Sequence, residues 1–467
     1  MESSYLLKTQ SFNSTPLGLI VNDLNSNFSK FFKKSPEIEL RNSWTKSVKI
    51  LKEHIPDGIP VLMEYVFPMG MQRVDLLIIG HKNAHVIEVK GWRNYRETGK
   101  NIAFADNREV IQPCYQLEDY ISKFRNFHTA SQTMKFSGSV FMYNTKDGND
   151  CELIYDPSGY DGKFSEENIG IAREEDIKAI TDGKFEFSNT LLNFIKENKN
   201  QILKSPEKAL VASGYGLSEE QMLILKNIER SIKNSERRVF LIRGKMGSGK
   251  TLVALNLALD FVGKDIFGIV AYKNNRLINS IRTSLGLDLK ELLQFYSVGQ
   301  YNGSWGLGEA NFDPSKLTRK LDFVVYDEAQ RMKDVQMIKF AISRAPITVF
   351  FYDEEQILTG DEGGTRQNFI RAIEEEGIEY TEYTLNSVFR MRWGDQVEEF
   401  VDSLFSNNPR RFDSEYNLRI YTDIKKMLSF LREREKENAK VALVAAWTKS
   451  SGKENDDVRI ENPEIRW

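Results

Sequence analysis

One glycine-rich segment constrains the fold of this chain more than any other feature. In "RVFLIRGKMGSGKTLVALNLALDFV" an apolar stretch leads into Gly244-x-x-x-x-Gly249-Lys250-Thr251, and a helical pattern of apolar residues follows at once. Backbone N–H groups of such a loop can turn inward on a phosphate, and the N-terminus of the next helix adds favourable partial charge. The segment therefore predicts a phosphate-binding loop between a strand and a helix.

The loop and a later acidic pair together predict binding of ATP with magnesium. Lys250 would reach the β and γ phosphates, and the Thr251 hydroxyl would ligate the ion. A second carboxylate is needed, and "LDFVVYDEAQ" supplies Asp327 and Glu328 at the end of an apolar strand. Asp327 would hold the ion, directly or through water, and Glu328 would activate the attacking water. The loop residues predicted to bind the nucleotide are Gly244, Gly247, Ser248, Gly249, Lys250 and Thr251.

The second half of the chain alternates apolar strands with polar or helical segments. The strand patterns are "RVFLIRG", "FGIVAY", "DFVVYDE" and "ITVFFYD". Fully apolar strands separated by helices are typical of a parallel sheet that is covered on both faces. This half is therefore predicted to have an α/β fold.

From about residue 214 onward the chain resembles superfamily 1 helicases, and most closely the Schlafen-like group. "GLSEEQ" looks like the adenine-recognising motif, "DEAQ" like the second motif, "FFYDEEQ" like the third and "LNSVFR" like the fourth. The resemblance implies a RecA-like lobe at 214–375 and the start of a second lobe at 376–467. It also implies nucleotide contacts by Gln221, Gln356 and Arg390, and a role for Gln330 in linking nucleotide state to nucleic acid, while Asp353 belongs to the third motif.

The second lobe is expected to be incomplete. After Arg390 only "AKVALVAAWTK" resembles a core strand before the chain stops at "NPEIRW". Superfamily 1 enzymes complete their ATP site with an arginine from that lobe. We therefore expect either a missing C-terminal lobe or a protein partner, and we expect nucleotide binding more firmly than unaided hydrolysis.

A hairpin in the first half displays charges that need a different explanation. In "VDLLIIGHKNAHVIEVKGW" side-chain alternation puts Glu88 and Lys90 on one strand face, and Asp75 lies across the turn on the neighbouring strand. Two converging carboxylates repel each other unless a cation neutralises them, and Mg²⁺ or Mn²⁺ suits such oxygen ligands. The alternative is a solvated hairpin with incidental charges.

Residues 36 to 145 resemble the PD-(D/E)xK nucleases, in a form where Val74-Asp75 stands for the first half of the motif. "QLEDY" reproduces the Q-x-x-x-Y helix motif of helicase-associated nucleases. The resemblance implies a restriction-endonuclease-like mixed sheet within residues 1–205 and metal ligation by Asp75 and Glu88. It also implies catalytic roles for Lys90, Gln116 and Tyr120. Further acidic candidates for the same site are Glu64 and, more weakly, Glu39.

Bulk composition limits the partners and the compartment. The formal net charge of −3 provides no global basic field, so nucleic-acid contacts must be local. The two cysteines, Cys114 and Cys151, have no close pairing or metal-like spacing, which predicts a reducing compartment and no zinc site. Without a signal segment or a long apolar run, the chain is expected to be cytoplasmic and not bound to a membrane.

These patterns favour an ATP-dependent DNA nuclease and helicase, and a role in phage defence rests on the resemblance alone. One alternative is a nucleotide-gated nucleic-acid-binding module that does not cleave, and another is an enzyme that processes RNA. Basic and aromatic residues could contact a single strand, although a basic turn and buried aromatics explain them comparably well. These residues are Tyr272, Lys273, Arg276, Tyr296, Tyr301 and Trp305.

Overall fold

This computed structural model divides the chain into two compact units, Met1–Gly394 and Asp395–Trp467. The residues that it describes are 5–32, 34–68, 72–99, 101–145, 151–160, 163–185, 211–212, 214, 216–245, 247–261, 266–272, 293–295, 320–357, 360–386, 399–401, 403–404, 408–412 and 418–436.

The first part of the larger unit is built on a six-stranded mixed sheet. Its strands and those of a small separate sheet are β1 (Leu7–Thr9), β2 (Val61–Val66), β3 (Arg73–Gly80), β4 (Asn83–Lys90), β5 (Tyr95–Gly99), β6 (Ile102–Ala105), β7 (Arg108–Ile111), β8 (Lys135–Met142) and β9 (Ile154–Tyr155). The large sheet has the order β1-β2-β3-β4-β8-β9, and β5, β6 and β7 form the small one. Strands β1 to β4 pair antiparallel, whereas β4 with β8 and β8 with β9 pair parallel.

Helices cover this sheet and join its strands. They are α1 (Leu17–Phe32), α2 (Ile38–Leu51), α3 (Pro113–Phe127), α4 (Pro157–Tyr160), α5 (Glu166–Ile169) and α6 (Glu174–Thr181). Helix α3 begins with Pro113, whose missing N–H costs nothing in the first turn. It buries Leu117, Tyr120, Ile121 and Phe124, the four residues whose spacing predicts an amphipathic helix. The apolar face of α3 therefore packs against the sheet that contains β3 and β4, the strands of the charged hairpin.

The second part of the larger unit is a six-stranded sheet in which every pair is parallel. Its strands are β10 (Arg238–Gly244), β11 (Gly268–Tyr272), β12 (Leu293–Phe295), β13 (Phe323–Tyr326), β14 (Ile347–Tyr352) and β15 (Glu379–Leu385). Their order is β12-β11-β13-β14-β10-β15. The helices are α7 (Glu219–Lys233), α8 (Lys250–Asp260), α9 (Val335–Ile342) and α10 (Arg366–Glu375). The predicted parallel α/β sheet is confirmed.

The two cysteines are paired, which corrects the expectation drawn from their spacing. Cys114, in the first turn of α3, forms a disulfide with Cys151, which follows β8 in the chain. Sequence separation says nothing about distance here, because the parallel pairing of β4 with β8 brings the chain back beside α3. The thiols that were expected to be free therefore form a covalent bridge beside the predicted site.

The smaller unit contains α11 (Ile424–Lys436). The strand predicted at "AKVALVAAWTK" lies outside the described residues. Within the described part of the chain, no helix has the length and apolar character needed to cross a membrane.

Candidate functional site

The charged residues of the hairpin and the polar residues of α3 meet around one cavity of about 360 Å³. Its lining includes Asp75 from β3, Glu88 from β4, and Gln116 and Tyr120 from α3. The mixed sheet supplies the carboxylates and the helix supplies the amide and the phenol. Four residues that the sequence predicts for one site are thus neighbours in space.

The two carboxylates converge because the β3–β4 ladder ends beside them. The last backbone pair before the site is Leu76 with Ile87. One residue further on, Asp75 Oδ2 accepts a hydrogen bond of 2.7 Å from the backbone N–H of Val89. This bond holds the Asp75 carboxylate against the backbone between Glu88 and Lys90.

Lys90 connects the strand to the helix through a short hydrogen-bond network. Its Nζ donates to Glu88 Oε1 at 2.7 Å and to Gln116 Oε1 at 3.1 Å. The Gln116 amide Nε2 in turn donates to the Tyr120 hydroxyl at 2.8 Å. Because residues four apart share a helix face, Gln116 and Tyr120 can act together on one lysine. The network fixes where the ammonium lies relative to both carboxylates.

Burial makes the charge state of the cluster unusual. Desolvation, with the nearby Asp75 adding to it, raises the pKa of Glu88 to about 8. Desolvation also raises the pKa of Asp75, although Lys90 opposes the shift. Burial lowers the pKa of Lys90, but the carboxylates of Glu88 and Asp75 outweigh it, so the pKa lies above its ordinary value. The buried site therefore disfavours having the Asp75 and Glu88 carboxylates deprotonated at the same time.

A third carboxylate, Glu64 on β2, lines the same cavity. It is held by Trp44 Nε1, which donates to Glu64 Oε1 at 2.7 Å, and by Arg73 Nε at 3.2 Å from Oε2. Burial raises its pKa to about 7, with Arg73 opposing and Asp75 adding to the shift. Its backbone has a φ of 52°, a left-handed conformation rare for a glutamate in a strand.

The partners of Glu64 were missed in the sequence. Arg73 directly precedes Val74-Asp75, which is a usable signal, whereas nothing local connects Trp44 in α2 with β2. Glu39, the weaker acidic candidate, is exposed on α2 and does not line the cavity.

The residues around the cavity fit a divalent cation. Glu88 Oε2 is buried and has no hydrogen-bond partner, and the Asp75 carboxylate faces the same space. A hard cation between two carboxylates satisfies an oxygen that would otherwise remain desolvated and unpaired. Among the described residues, no group of three or more His, Cys, Asp or Glu side chains forms a ready-made metal cluster. A cation would therefore draw its remaining ligands from water or substrate.

The pKa values predict that stability without metal falls as pH rises. Glu64 and Glu88 have pKa values of about 7 and about 8 in the folded protein, above those of the unfolded chain. The folded state therefore holds protons that the unfolded state has already lost, and each proton difference costs up to about 1.4 kcal/mol per pH unit. We expect the melting temperature in EDTA to drop by a few degrees between about pH 6 and about pH 8.5.

Divalent cations should reverse that trend. Mg²⁺ or Mn²⁺ binds the deprotonated carboxylates, so its stabilising effect should be larger at the higher pH. Thermal unfolding of wild type and Glu88→Gln, with EDTA and with metal, measures both effects. The variant should show a shallower pH dependence, and an unchanged slope would contradict the assignment.

The predicted phosphate loop lies between β10 and α8. Gly247 and Gly249 have φ values of 86° and 82°, which a residue with a Cβ adopts only with strain. Lys250 Nζ donates to the carbonyl oxygens of Gly244 and Lys245, the latter at 3.0 Å. The loop thus has the backbone conformation that the glycine spacing predicts, with its lysine folded over the turn.

The residues predicted to hold the magnesium of ATP are adjacent. Thr251 Oγ1 donates to Asp327 Oδ2 at 2.7 Å. Burial raises the pKa of Asp327, and the Thr251 hydrogen bond opposes the shift. Glu328, predicted to activate water, has a left-handed φ of 54° and forms an ion pair of 3.1 Å with Arg331. Strain at such a position is common where function fixes a side chain.

The DEAQ and third-motif residues are connected by hydrogen bonds. Gln330 Oε1 accepts from the backbone N–H of Asp353 at 3.3 Å, and the Gln356 amide donates to the Asp353 carboxylate. Gln330 and Asp353 are both buried. The second and third motifs are thus in direct contact, and the role of Gln330 and the nucleotide contact of Gln356 stay predictions.

Gln221 and Tyr272, which are predicted to contact a nucleobase, are both buried in the structure. Gln221 is buried, donates to the Ser248 carbonyl at 2.8 Å and accepts from the Ser218 N–H at 3.0 Å. Its amide is therefore engaged by the helix cap and the phosphate loop, and contact with a base stays a prediction. The suggestion that Tyr272 stacks on a nucleobase is wrong for this conformation, because its ring is fully buried in the core beneath the parallel sheet.

Several predicted residues lie outside the described part of the chain. Arg390, Lys273, Arg276, Tyr296, Tyr301 and Trp305 belong to this set.

Comparison with known proteins concerns the C-terminal half. Residues 237–467 match the family model described as Schlafen group 3, DNA/RNA helicase domain. None of the curated proteins matches the chain.

Two solved helicase structures share a weak likeness with the chain. One is a Pif1 helicase, described with DNA unwinding at forked double-stranded DNA, with 18% identity, a TM-score of 0.26, and coverage of 48% of this chain and 57% of that one. The other is the Hef helicase domain of Pyrococcus furiosus, with 15% identity, a TM-score of 0.20, and coverage of 36% and 40%. The chain thus spans about half the length of these structures, and neither likeness is close enough to define the fold. The family match to residues 237–467, which include the phosphate loop and the DEAQ motif, supports a Schlafen-like helicase domain in this chain.

Proposed function

We propose that the chain is a metal-dependent DNA nuclease attached to an ATP-binding helicase domain. The observation that carries the nuclease half is the buried, unpartnered Glu88 Oε2 at the cavity that Asp75 also lines, with Lys90 bonded to Glu88 itself. A solvated hairpin with incidental charges would leave these groups in water, where each could be hydrated.

Asp75 and Glu88 would hold the cation. When bound, Mg²⁺ or Mn²⁺ supplies Lewis-acid activation of the scissile phosphate and of the attacking water. Hydrolysis forms a bond from a water oxygen to phosphorus and breaks the bond from phosphorus to the leaving oxygen. Lys90, held by Glu88 and Gln116, would donate to the phosphoryl oxygen on which negative charge develops.

Gln116 and Tyr120 position Lys90 for this task. The Gln116 amide oxygen can accept from Lys90 only if its nitrogen points the other way, and the Tyr120 hydroxyl accepts from that nitrogen. The pair therefore selects one amide orientation and engages one lysine proton, and since Glu88 accepts a second, the third is left for substrate.

The helicase domain would use ATP. Lys250, Thr251 and Asp327 are the residues that would contact the phosphates and the magnesium, and the Thr251–Asp327 hydrogen bond already joins two of them. We propose that nucleic acid is the shared substrate of both halves.

A cleavage assay tests the proposal. Labelled single-stranded and double-stranded DNA, with matched RNA strands, would be incubated with Mg²⁺, Mn²⁺ or EDTA, with and without ATP. DNA should be cleaved only with metal and faster than RNA. Cleavage of RNA alone would identify an RNA-processing enzyme, and binding without cleavage under every condition would favour a nucleotide-gated binding module.

A further inference from the structure

The two predicted sites are joined by a short segment that contacts both. Residues 216–221 leave the nuclease-like part, form the N-cap of α7 and enter the helicase part. We call residues 216–221 the connector. Gly216 and Leu217 contact α3 at one end, and Gln221 contacts the phosphate loop at the other.

At the nuclease end, the connector is bound by the turns of α3 that carry Gln116 and Tyr120. The Tyr115 hydroxyl accepts from the Leu217 N–H at 3.0 Å, and Asp119 Oδ1 accepts from the Gly216 N–H at 3.0 Å. A Cβ on residue 216 would lie 2.6 Å from Asp119 Oδ1, so the Asp119 side chain would have to shift to admit one. Tyr115 precedes Gln116 and Asp119 precedes Tyr120, and both of these neighbours line the cavity.

Asp119 also reaches the cavity by a second route. Its Oδ2 is paired with Lys123, and Lys123 Nζ donates to Gln72 Oε1 at 2.5 Å. Gln72 lines the cavity together with Asp75 and Glu88. Asp119 is therefore connected to the cavity on two sides, through its neighbour Tyr120 in α3 and through Lys123 and Gln72.

At the nucleotide end, Gln221 binds both the connector and the loop. Its side-chain oxygen accepts from the Ser218 N–H, the Ser218 hydroxyl accepts from the Gln221 N–H, and the Gln221 amide donates to the Ser248 carbonyl at 2.8 Å. This reciprocal cap makes the connector and the start of α7 one rigid piece. Any movement of the Ser248 carbonyl is passed to that piece.

Phosphate binding would change the contacts of the loop. Lys250 Nζ donates to the carbonyls of Gly244 and Lys245, and a phosphate bound at Lys250 would compete with these two acceptors for its N–H donors. The Ser248 hydroxyl is buried without a hydrogen-bond partner, so the present arrangement leaves a polar group unsatisfied. The loop therefore has a reason to adopt a second conformation, and Ser248 lies within it.

We propose that Tyr115 and Asp119 are positioning residues that link nucleotide binding at the phosphate loop to the geometry of the nuclease pocket. The inference rests on the proposed nuclease. The test is a measurement of the coupling between the two sites.

The first measurement is the ratio of cleavage rates with and without a non-hydrolysable ATP analogue and Mg²⁺. In wild type the ratio should differ from one by about fivefold or more, in the range usual for linked sites. Tyr115→Phe removes the acceptor of the Leu217 N–H and keeps the ring. It should bring the ratio to within about twofold of one, with cleavage in the absence of analogue nearly unchanged. Asp119→Ala, which removes the acceptor of the Gly216 N–H, should also bring the ratio towards one, and Tyr155→Phe, which removes a tyrosine hydroxyl on β9, should keep the wild-type ratio.

The second measurement is hydrogen exchange of residues 113–127 with and without the analogue. Exchange in α3 should change in wild type and not in Tyr115→Phe or in Lys250→Ala. If the wild type shows a nucleotide response in α3 but never cleaves DNA, the nuclease proposal fails and the linkage stands. If α3 does not respond in wild type, or if Tyr115→Phe keeps the full response, the linkage is overturned whether or not DNA is cleaved.

Discussion

Replacing Glu88 by glutamine is expected to lower metal-dependent DNA cleavage by about 10³-fold. The amide has nearly the same size, but it cannot neutralise a cation and it removes one of the two charges that would hold the metal. Folding should not suffer. Because burial raises the pKa of Glu88 to about 8, a neutral side chain relieves a cost that the carboxylate imposes at alkaline pH. The variant should therefore melt at or above the wild-type temperature at about pH 8.5.

The matched control is Glu118→Gln, which makes the same chemical change on an exposed residue of α3. It should cleave at the wild-type rate. ATP binding should be the same in both variants and in wild type. Wild-type cleavage by Glu88→Gln, with its fold and metal content verified, would remove the Asp75–Glu88 pair from the mechanism.

Replacing Lys250 by alanine is expected to weaken ATP binding by about 100-fold and to abolish any ATP hydrolysis. The side chain supplies the cation that would reach the β and γ phosphates. In the structure its Nζ donates to backbone carbonyls of the loop, so its loss also leaves Gly244 and Lys245 without those donors. Titration with a fluorescent ATP analogue and a phosphate-release assay measure the two effects.

Lys233→Ala is the control for that variant, because Lys233 is an exposed lysine in the last turn of α7. It should bind nucleotide as wild type does. DNA cleavage by Lys250→Ala without nucleotide should also persist, since the cavity contains no group from the loop. Normal nucleotide affinity in Lys250→Ala would show that the glycine-rich segment is an ordinary turn.

Most strands of the parallel sheet could be predicted from the sequence, whereas the contacts between distant segments could not. Strands such as β13 and β14 are buried along their whole length, so their apolar runs and the glycine pattern between β10 and α8 are direct signals. The disulfide between Cys114 and Cys151 has no such signal in the sequence. The two cysteines come together only because β8, which precedes Cys151, pairs with β4.

The candidate site shows the same division. Asp75, Glu88 and Lys90 follow from strand alternation, and Gln116 with Tyr120 follows from helical spacing. The contacts of Glu64 with Trp44 and Arg73 depend on how α2 packs over β2 and on the irregular backbone at residue 64. Pair contacts between elements far apart in sequence have no local pattern.

The apolar core shared by the two halves bears on how such a chain could arise. Ile102, Ile111 and Tyr115 from the N-terminal part belong to the same buried cluster as Leu217 and Leu225 from the part that follows. A gene fragment ending near residue 205, or one starting near residue 214, would encode a protein with part of that cluster facing water. Recombination between genes would therefore rarely exchange one half alone. We expect the two halves to be inherited together, and limited proteolysis to leave them associated.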